Sequence, residues 1–204
     1  MSGRQSAEDR KVQIVAEVLR IADEIGPDRL STTDVARAIG ISQPAIFRHF
    51  PTKGALWLAV AEDIGARLQR NWAAAEAAAD GPRARLKALI TAQLVAIADT
   101  PALPSILFSR ELQVENHGLR DVFRGLLAAF QGHLVAAIRD LQAAGDLCRD
   151  VCPEDIAILL TSLVQGAAIR WTLGERGFSL VDEGLRLFDV QVAMLRRMER
   201  DSDA

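Results

Sequence analysis

Arg37, Gln43, Arg48, His49 and Lys53 lie close together in one stretch, STTDVARAIGISQPAIFRHFPTK, and no Asp or Glu occurs between Val35 and Ala61. These groups suit the reading and holding of a polyanion better than the making or breaking of bonds. A Gln amide can pair bidentately with adenine in the major groove of DNA. Arg, Lys and His side chains can meet phosphates, which supply the sequence-independent part of DNA affinity. Other chemistry finds little support. The histidines are His49, His117 and His133, and no HExxH, GxSxG, P-loop or GxGxxG pattern occurs. Cys148 and Cys152 flank Arg149-Asp150-Val151, which is not a CxxC spacing. With a nearby histidine they could bind a metal or sense oxidants, or they are incidental thiols. No catalytic residue, cofactor or metal site is expected.

The elements that must position these groups are two short helices joined by a tight turn. Ser31 followed by Asp34 resembles a capping box, with Asp in place of the usual Glu or Gln. Val35, Ala36 and Ile39 give the first helix an apolar face, and Gly40 ends it, because so abrupt a reversal favours a left-handed residue. Ile41 should tuck into the angle between the helices. Ser42 is an expected N-cap for the second helix, and Pro44 lies in its first turn, where a missing N–H costs little. Ile46 and Phe50, four apart, face the core together. Gln43, Ala45, Phe47 and His49 then point elsewhere. Such a pair is the helix-turn-helix of DNA-binding proteins, whose second helix enters the major groove. Gln43, Ala45 and Phe47 are predicted to face the groove, with Gln43 the base reader. Thr32, Thr33, Arg37, Pro44, Arg48, His49 and Lys53 complete the predicted DNA-binding set.

Residues 30–60, LSTTDVARAIGISQPAIFRHFPTKGALWLAV, resemble the TetR family of bacterial transcriptional regulators. The resemblance rests on the Thr-Thr start, Val-Ala before the turn glycine, Gly-Ile-Ser-Gln-Pro-Ala-Ile-Phe, the His-Phe pair and Thr-Lys-Gly-Ala-Leu. One departure is Gly54, where relatives often carry an acid. The resemblance implies a phosphate contact from His49, a dimer built through the last two long helices, and an effector pocket among the middle helices.

The chain has 204 residues, 50% hydrophobic and 25% charged, enough for a full core with a small attached module. The net charge of −3 argues mildly against nucleic acid. Attraction depends on the local field, however, and the acids are concentrated outside the helix-turn-helix. No apolar run reaches the roughly 20 residues of a membrane span, and the start MSGRQS lacks a signal-peptide core. A cytoplasmic protein without a membrane partner is expected, with two cysteines suited to a reducing compartment.

The whole pattern is all-α. A DNA-binding domain is expected over residues 1–52, and a helical effector-binding and dimerisation domain over 53–204. Helices are predicted over about 7–25, 53–79, 83–98, 104–112, 119–144, 153–173 and 179–198, with a turn at Asn116-His117-Gly118. The first carries Val12, Val15, Ala16, Leu19, Ala22 and Ile25 at spacings of three and four. Arg4, Arg10 and Lys11 could touch the DNA backbone or could form a solvated start.

The last two helices each carry two apolar stripes. In the final one, Val181, Leu185, Phe188, Val192 and Leu195 form one stripe, and Leu187, Val190, Met194 and Met198 the other. In the preceding helix, Ile156, Leu159, Leu163 and Ala167 form one, and Leu160, Val164, Ala168 and Trp171 the other. A helix with two apolar faces buries both, so either a second copy covers one or the pair is central within a monomer. Leu163, Ala167, Leu185, Phe188, Val192 and Leu195 are the predicted interface. Phe108, Leu112, Leu127, Phe130, Leu134 and Trp171 are candidates to line an effector pocket, and serve equally well as ordinary core. Gln165 and Arg170 could orient a ligand or satisfy each other at the interface. The expected function is a homodimeric repressor released from a palindromic operator on double-stranded DNA by a small, largely apolar effector. The alternative is a DNA-organising or protein-docking factor of the same fold with no effector.

Overall fold

The computed structural model describes residues 6–197, and among them the regular structure is helical. The helices are α1 Ala7–Ile25, α2 Thr32–Ala38, α3 Gln43–His49, α4 Lys53–Ala77, α5 Pro82–Asp99, α6 Leu103–Phe108, α7 Arg110–Glu115, α8 His117–Ala143, α9 Pro153–Leu173 and α10 Leu180–Arg197. They form two compact units, one of Met1–Arg67 with Thr100–Gly125, the other of Leu68–Asp99 with Leu126–Ala204. Arg4 and Met198 lie outside the described residues.

In the first unit, α1 packs on α2, α3 and α6. Ser6 begins α1 with a capping box closed by Asp9. The buried face of α1 is Ile14, Val15, Val18, Ile21 and Ala22. Val12, Ala16 and Ile25, expected inside, are exposed. The core stripe therefore follows Ile14, Val18 and Ile21, one residue out of phase with much of the predicted one. Arg10 donates to Gln13 at 2.7 Å and Lys11 pairs with Glu8 at 2.9 Å, so both contribute to the solvated surface of α1. The expected helix over 104–112 is divided. Ser109 is extended, its hydroxyl accepts from the Leu112 N–H at 3.0 Å and donates to Asp28, and it starts α7 as a new helix. Asn116 then caps α7, and α8 begins at His117 instead of after a turn. Gly54 meets this junction closely: a Cβ there would lie 3.2 Å from Asn116 Oδ1. The acid common in relatives would begin against a carbonyl oxygen.

In the second unit, α10 packs on α5 and α9, and α5 on α9. Leu86, Leu89, Ile90 and Leu94 from α5, Ile156, Leu160 and Val164 from α9, and Phe188 and Val192 from α10 are buried. Trp72 is buried beside Phe130, with ring centroids 5.2 Å apart, and donates its indole N–H to Gln93 at 2.9 Å. His133 pairs with Glu76 at 3.0 Å. Gly184 permits the close approach of α10 to α5, since a Cβ there would lie 2.6 Å from one Leu94 methyl and 2.7 Å from the other. Leu94 is fully buried and has nowhere to turn. Gly184→Ala is expected to destabilise the protein by about 1–3 kcal/mol despite the better helix propensity of alanine. Chemical denaturation checks this; an unchanged midpoint would mean that the helices separate freely.

Length and composition alone would let α8 and α9 cross a bilayer, with mean hydropathies of 1.2 and 1.5. Each also buries side chains inside the second unit, including Leu134 and Ile138 of α8 and Leu160 and Val164 of α9.

Candidate nucleic-acid interface

The geometry begins at the Ser31 cap. Its hydroxyl accepts from the Asp34 N–H at 3.2 Å, while Asp34 accepts from the Ser31 N–H at 3.2 Å and from its hydroxyl at 2.6 Å. These bonds from Ser31, aided by Arg37, hold the Asp34 carboxyl below its ordinary range. The sign is that of a depressed acid: the stabilisation is complete above the unfolded value, about 3.9, and fades as pH falls through the folded one. Asp34→Ala should therefore lower thermal stability at neutral pH. The difference from the parent should shrink on acidification below about pH 4, and a gap constant with pH would contradict this role.

The turn closes as the glycine requires. Gly40 has φ +70°, the Ile41 N–H bonds to Ala36 O at 3.0 Å, and the Gly40 N–H to Arg37 O at 3.3 Å. This is a Schellman closure, which satisfies the last carbonyls of α2. Val35, Ala36, Ile46 and Phe50 are buried, so the two helices share one core and α3 has a defined outer face.

That outer face carries Gln43, Pro44, Phe47 and Arg48, all exposed, with Ala45 and His49 half-buried. Thr33, Arg37 and Lys53 are exposed beside it in sequence. Thr32, in contrast to these, is buried. It is only 7% exposed, and its hydroxyl accepts from the Gln43 amide at 2.8 Å. Thr32 thus braces Gln43 from behind. One amide hydrogen and the carbonyl oxygen of Gln43 stay available for the donor-acceptor pair that adenine presents. Ser42 also departs from its predicted role. It occupies the N-cap position but makes no side-chain capping bond. Pro44 has no N–H to offer, and the Ala45 N–H bonds to the Ser42 carbonyl at 2.9 Å. The exposed Ser42 hydroxyl is thus open to another acceptor or donor. Pro44 was the sequence signal for this. Thr52 caps α4, accepting from the Ala55 N–H at 3.0 Å, which sets Lys53 at the first position of that helix.

The other predicted residues are distributed as follows. Phe108 and Leu112 belong to the first unit, Phe108 exposed and Leu112 buried. Leu127, Phe130, Leu134, Gln165, Arg170 and Trp171 belong to the second. Phe130, Leu134 and Trp171 are buried there, Gln165 is half-buried, and Leu127 and Arg170 are exposed. Within the single chain the Arg170 guanidinium lies 3.4 Å from Glu183.

The predicted interface residues divide between the core and the surface of the single chain. Ala167, Phe188, Val192 and Leu195 are buried within their own chain, and Leu163 and Leu185 are half-buried. The core of the second unit uses the stripe on α10 that had been assigned to a partner. The open apolar stripe combines Leu187, Val190 and Met194 on α10 with Leu159, Leu163, Gly166, Ile169 and Leu173 on α9, so Leu163 stays on the open side. Leu173 is 80% exposed. A Cβ on Gly166 would meet nothing within 4 Å.

Comparison with known proteins agrees with the geometry at both ends of the chain. The family model for bacterial regulatory proteins of the tetR family matches residues 14–60. The model for the C-terminal part of BetI-type transcriptional repressors matches residues 82–197. The nucleoid occlusion factor SlmA of Vibrio atlanticus is 25% identical over 173 residues, covering 84% of this chain and 87% of its own. Among solved structures, a transcriptional regulator of Saccharomonospora viridis in complex with choline superposes with a TM-score of 0.77 at 22% identity, covering 91% of this chain and 96% of that one. The regulator FadR of Bacillus subtilis in complex with stearoyl-CoA superposes with a TM-score of 0.74 at 16% identity, covering 89% and 97%. Helix-turn-helix and C-terminal helical region together place the chain in the TetR family of DNA-binding transcriptional regulators.

Proposed function

We propose that the chain is a homodimeric repressor that binds a palindromic operator and is released from it by a small, largely apolar effector. The observation that carries the DNA part is the outer face of α3, where Gln43, Pro44, Phe47 and Arg48 are exposed and Gln43 is braced by the buried Thr32. On this reading, residues 1–52 are the DNA-reading domain and 53–204 the effector and dimerisation domain. Gln43, Ala45 and Phe47 meet base edges. Thr33, Arg37, Arg48, His49 and Lys53 hold phosphates, joined by Ser42, and the protein acts in the cytoplasm. A second copy covers the open stripe of α9 and α10, because apolar faces of this extent are rarely left to water.

Support for an effector comes from the choline and stearoyl-CoA complexes of the two regulators above. The effector works by geometry. Both recognition helices must meet major grooves about 34 Å apart, or a multiple of that distance. A ligand that binds the released spacing more tightly shifts the dimer towards it. By reciprocity, operator DNA weakens the ligand by the same factor. The test is a release screen of apolar carboxylates and quaternary amines on a selected operator, followed by titration of any hit with and without that DNA. Weaker ligand binding in the presence of DNA is expected. Release of DNA by no ligand, or equal affinity in both titrations, favours the second reading, an effector-free DNA-organising factor. The resemblance to nucleoid occlusion factors is what supports that second reading.

A further inference from the structure

The outer face of α3 carries an apolar pair that serves neither the core nor the holding of phosphates. At about 100° per residue, its exposed side chains follow one another around the helix in the order Gln43, Phe47, Pro44, Arg48. The apolar positions Phe47 and Pro44 thus occupy the middle of the face, with Gln43 on one side and Arg48 on the other. Phe47 is 39% exposed, whereas its neighbour Ile46 is fully buried in the core of the first unit. A phenyl ring has no charge and no hydrogen-bonding group, so it adds nothing to the electrostatic hold on the DNA backbone. Among the groups that base pairs present in the major groove, the apolar one is the C5-methyl of thymine.

We propose that Phe47 reads a pyrimidine C5-methyl group: the operator carries a thymine close to the adenine read by Gln43, and a cytosine methylated at C5 can take that thymine's place. This assignment rests on α3 being the recognition helix, as proposed above. The register follows from the helix. Gln43 and Phe47 are four residues apart, a rise of about 6 Å, and successive bases of a strand are about 3.4 Å apart. The methyl therefore lies one or two base pairs from the adenine. The 2.8 Å bond from the Gln43 amide to Thr32 fixes one end of this register. Pro44 flanks Phe47 on the side away from Gln43, and its rigid ring widens the apolar surface. The phenyl ring cannot distinguish the O4 acceptor of thymine from the amino group of cytosine by hydrogen bonding. What it distinguishes is a methyl from a bare C–H at C5, and methylated cytosine presents the same methyl as thymine. Burial of one methyl changes affinity about fourfold, and about fifteenfold when both half-sites of a dimer are altered.

The test is parallel selection by the full-length protein from two random DNA pools, one made with thymine and one with uracil, which lacks only the methyl. Both pools should enrich a site, but one thymine in each half-site of the first pool should lose its preference in the second. On the selected operator, uracil at that position in both half-sites should weaken binding about fifteenfold, and 5-methylcytosine paired with guanine should bind tighter than cytosine by a similar factor. Phe47→Leu, which keeps an apolar side chain, should preserve both differences. Phe47→Gln should abolish them while leaving the salt slope unchanged, with thermal unfolding certifying that each variant is folded. Equal affinity for thymine and uracil at every position, in a protein that still enriches a defined site, overturns the methyl contact and leaves the recognition helix in place; Phe47 would then pack against sugar. A methyl effect that survives Phe47→Gln overturns the assignment to Phe47. If neither pool yields a site, α3 is not a recognition helix and this assignment falls with it.

Discussion

Leu159→Asp combined with Met194→Asp is expected to leave a folded monomer that no longer binds operator DNA specifically. In the single chain these side chains are 51% and 58% exposed, so charge there costs the protomer little. In a dimer both would be buried without partners, and burying an unpaired carboxylate is prohibitive. Specific binding should collapse towards the non-specific level, a loss on the order of a thousandfold or more, because only one recognition helix at a time can reach its half-site. Phe188→Asp is the contrasting control. Phe188 is 4% exposed inside the second unit, so this change should unfold the protein instead of dissociating it. Sedimentation with far-UV circular dichroism separates the outcomes. A Leu159→Asp/Met194→Asp protein that still sediments as a dimer would place the interface elsewhere. Gly166→Arg is an independent check: it meets open space within the chain, and should be tolerated there while blocking the partner.

Gln43→Ala and Lys53→Ala should weaken DNA binding in different ways. Lys53 is exposed at the start of α4, and its loss should reduce affinity for all sequences and flatten the salt slope by about one unit. Gln43→Ala should cost about 1–3 kcal/mol at one base pair in each half-site and relax the preference there. The Thr32 hydroxyl adds a sharper arm. Thr32→Val keeps the buried shape but removes the acceptor that holds the Gln43 amide. It should relax the same base preference without changing the salt slope. If Gln43→Ala and Lys53→Ala give the same change in sequence preference and salt dependence, the division between base reading and phosphate holding is wrong.

The helix-turn-helix was legible because each of its signals is local. The Ser31 and Asp34 box, the left-handed Gly40 and the Ile46–Phe50 pair are set within one or two turns of chain, and all three are present. What escaped reading depends on distant partners. Ser109 divides one expected helix into two through a bond to Asp28, 81 residues away in sequence. The brace between Gln43 and Thr32 spans the turn and could not be inferred from either helix alone. The stripes on α9 and α10 were visible as pairs, but spacing is blind to which of two apolar faces turns inward. The structure decides through Gly184, whose lack of a side chain lets α10 close on Leu94 and commits Phe188 and Val192 to the core. The residues proposed to line an effector site remained indistinguishable from core by sequence, since Phe130, Leu134 and Trp171 have core burial as well as core chemistry.

The most direct measurement is selection of bound fragments from a random DNA pool by the full-length protein, followed by sequencing of the enriched pool. A two-fold symmetric site should emerge, with equivalent half-sites centred one helical turn apart, about 34 Å, or a multiple of it. The Leu159→Asp/Met194→Asp protein should enrich nothing comparable. Enrichment of a single unrepeated half-site, or of no sequence at all, would contradict a dimeric, sequence-specific regulator.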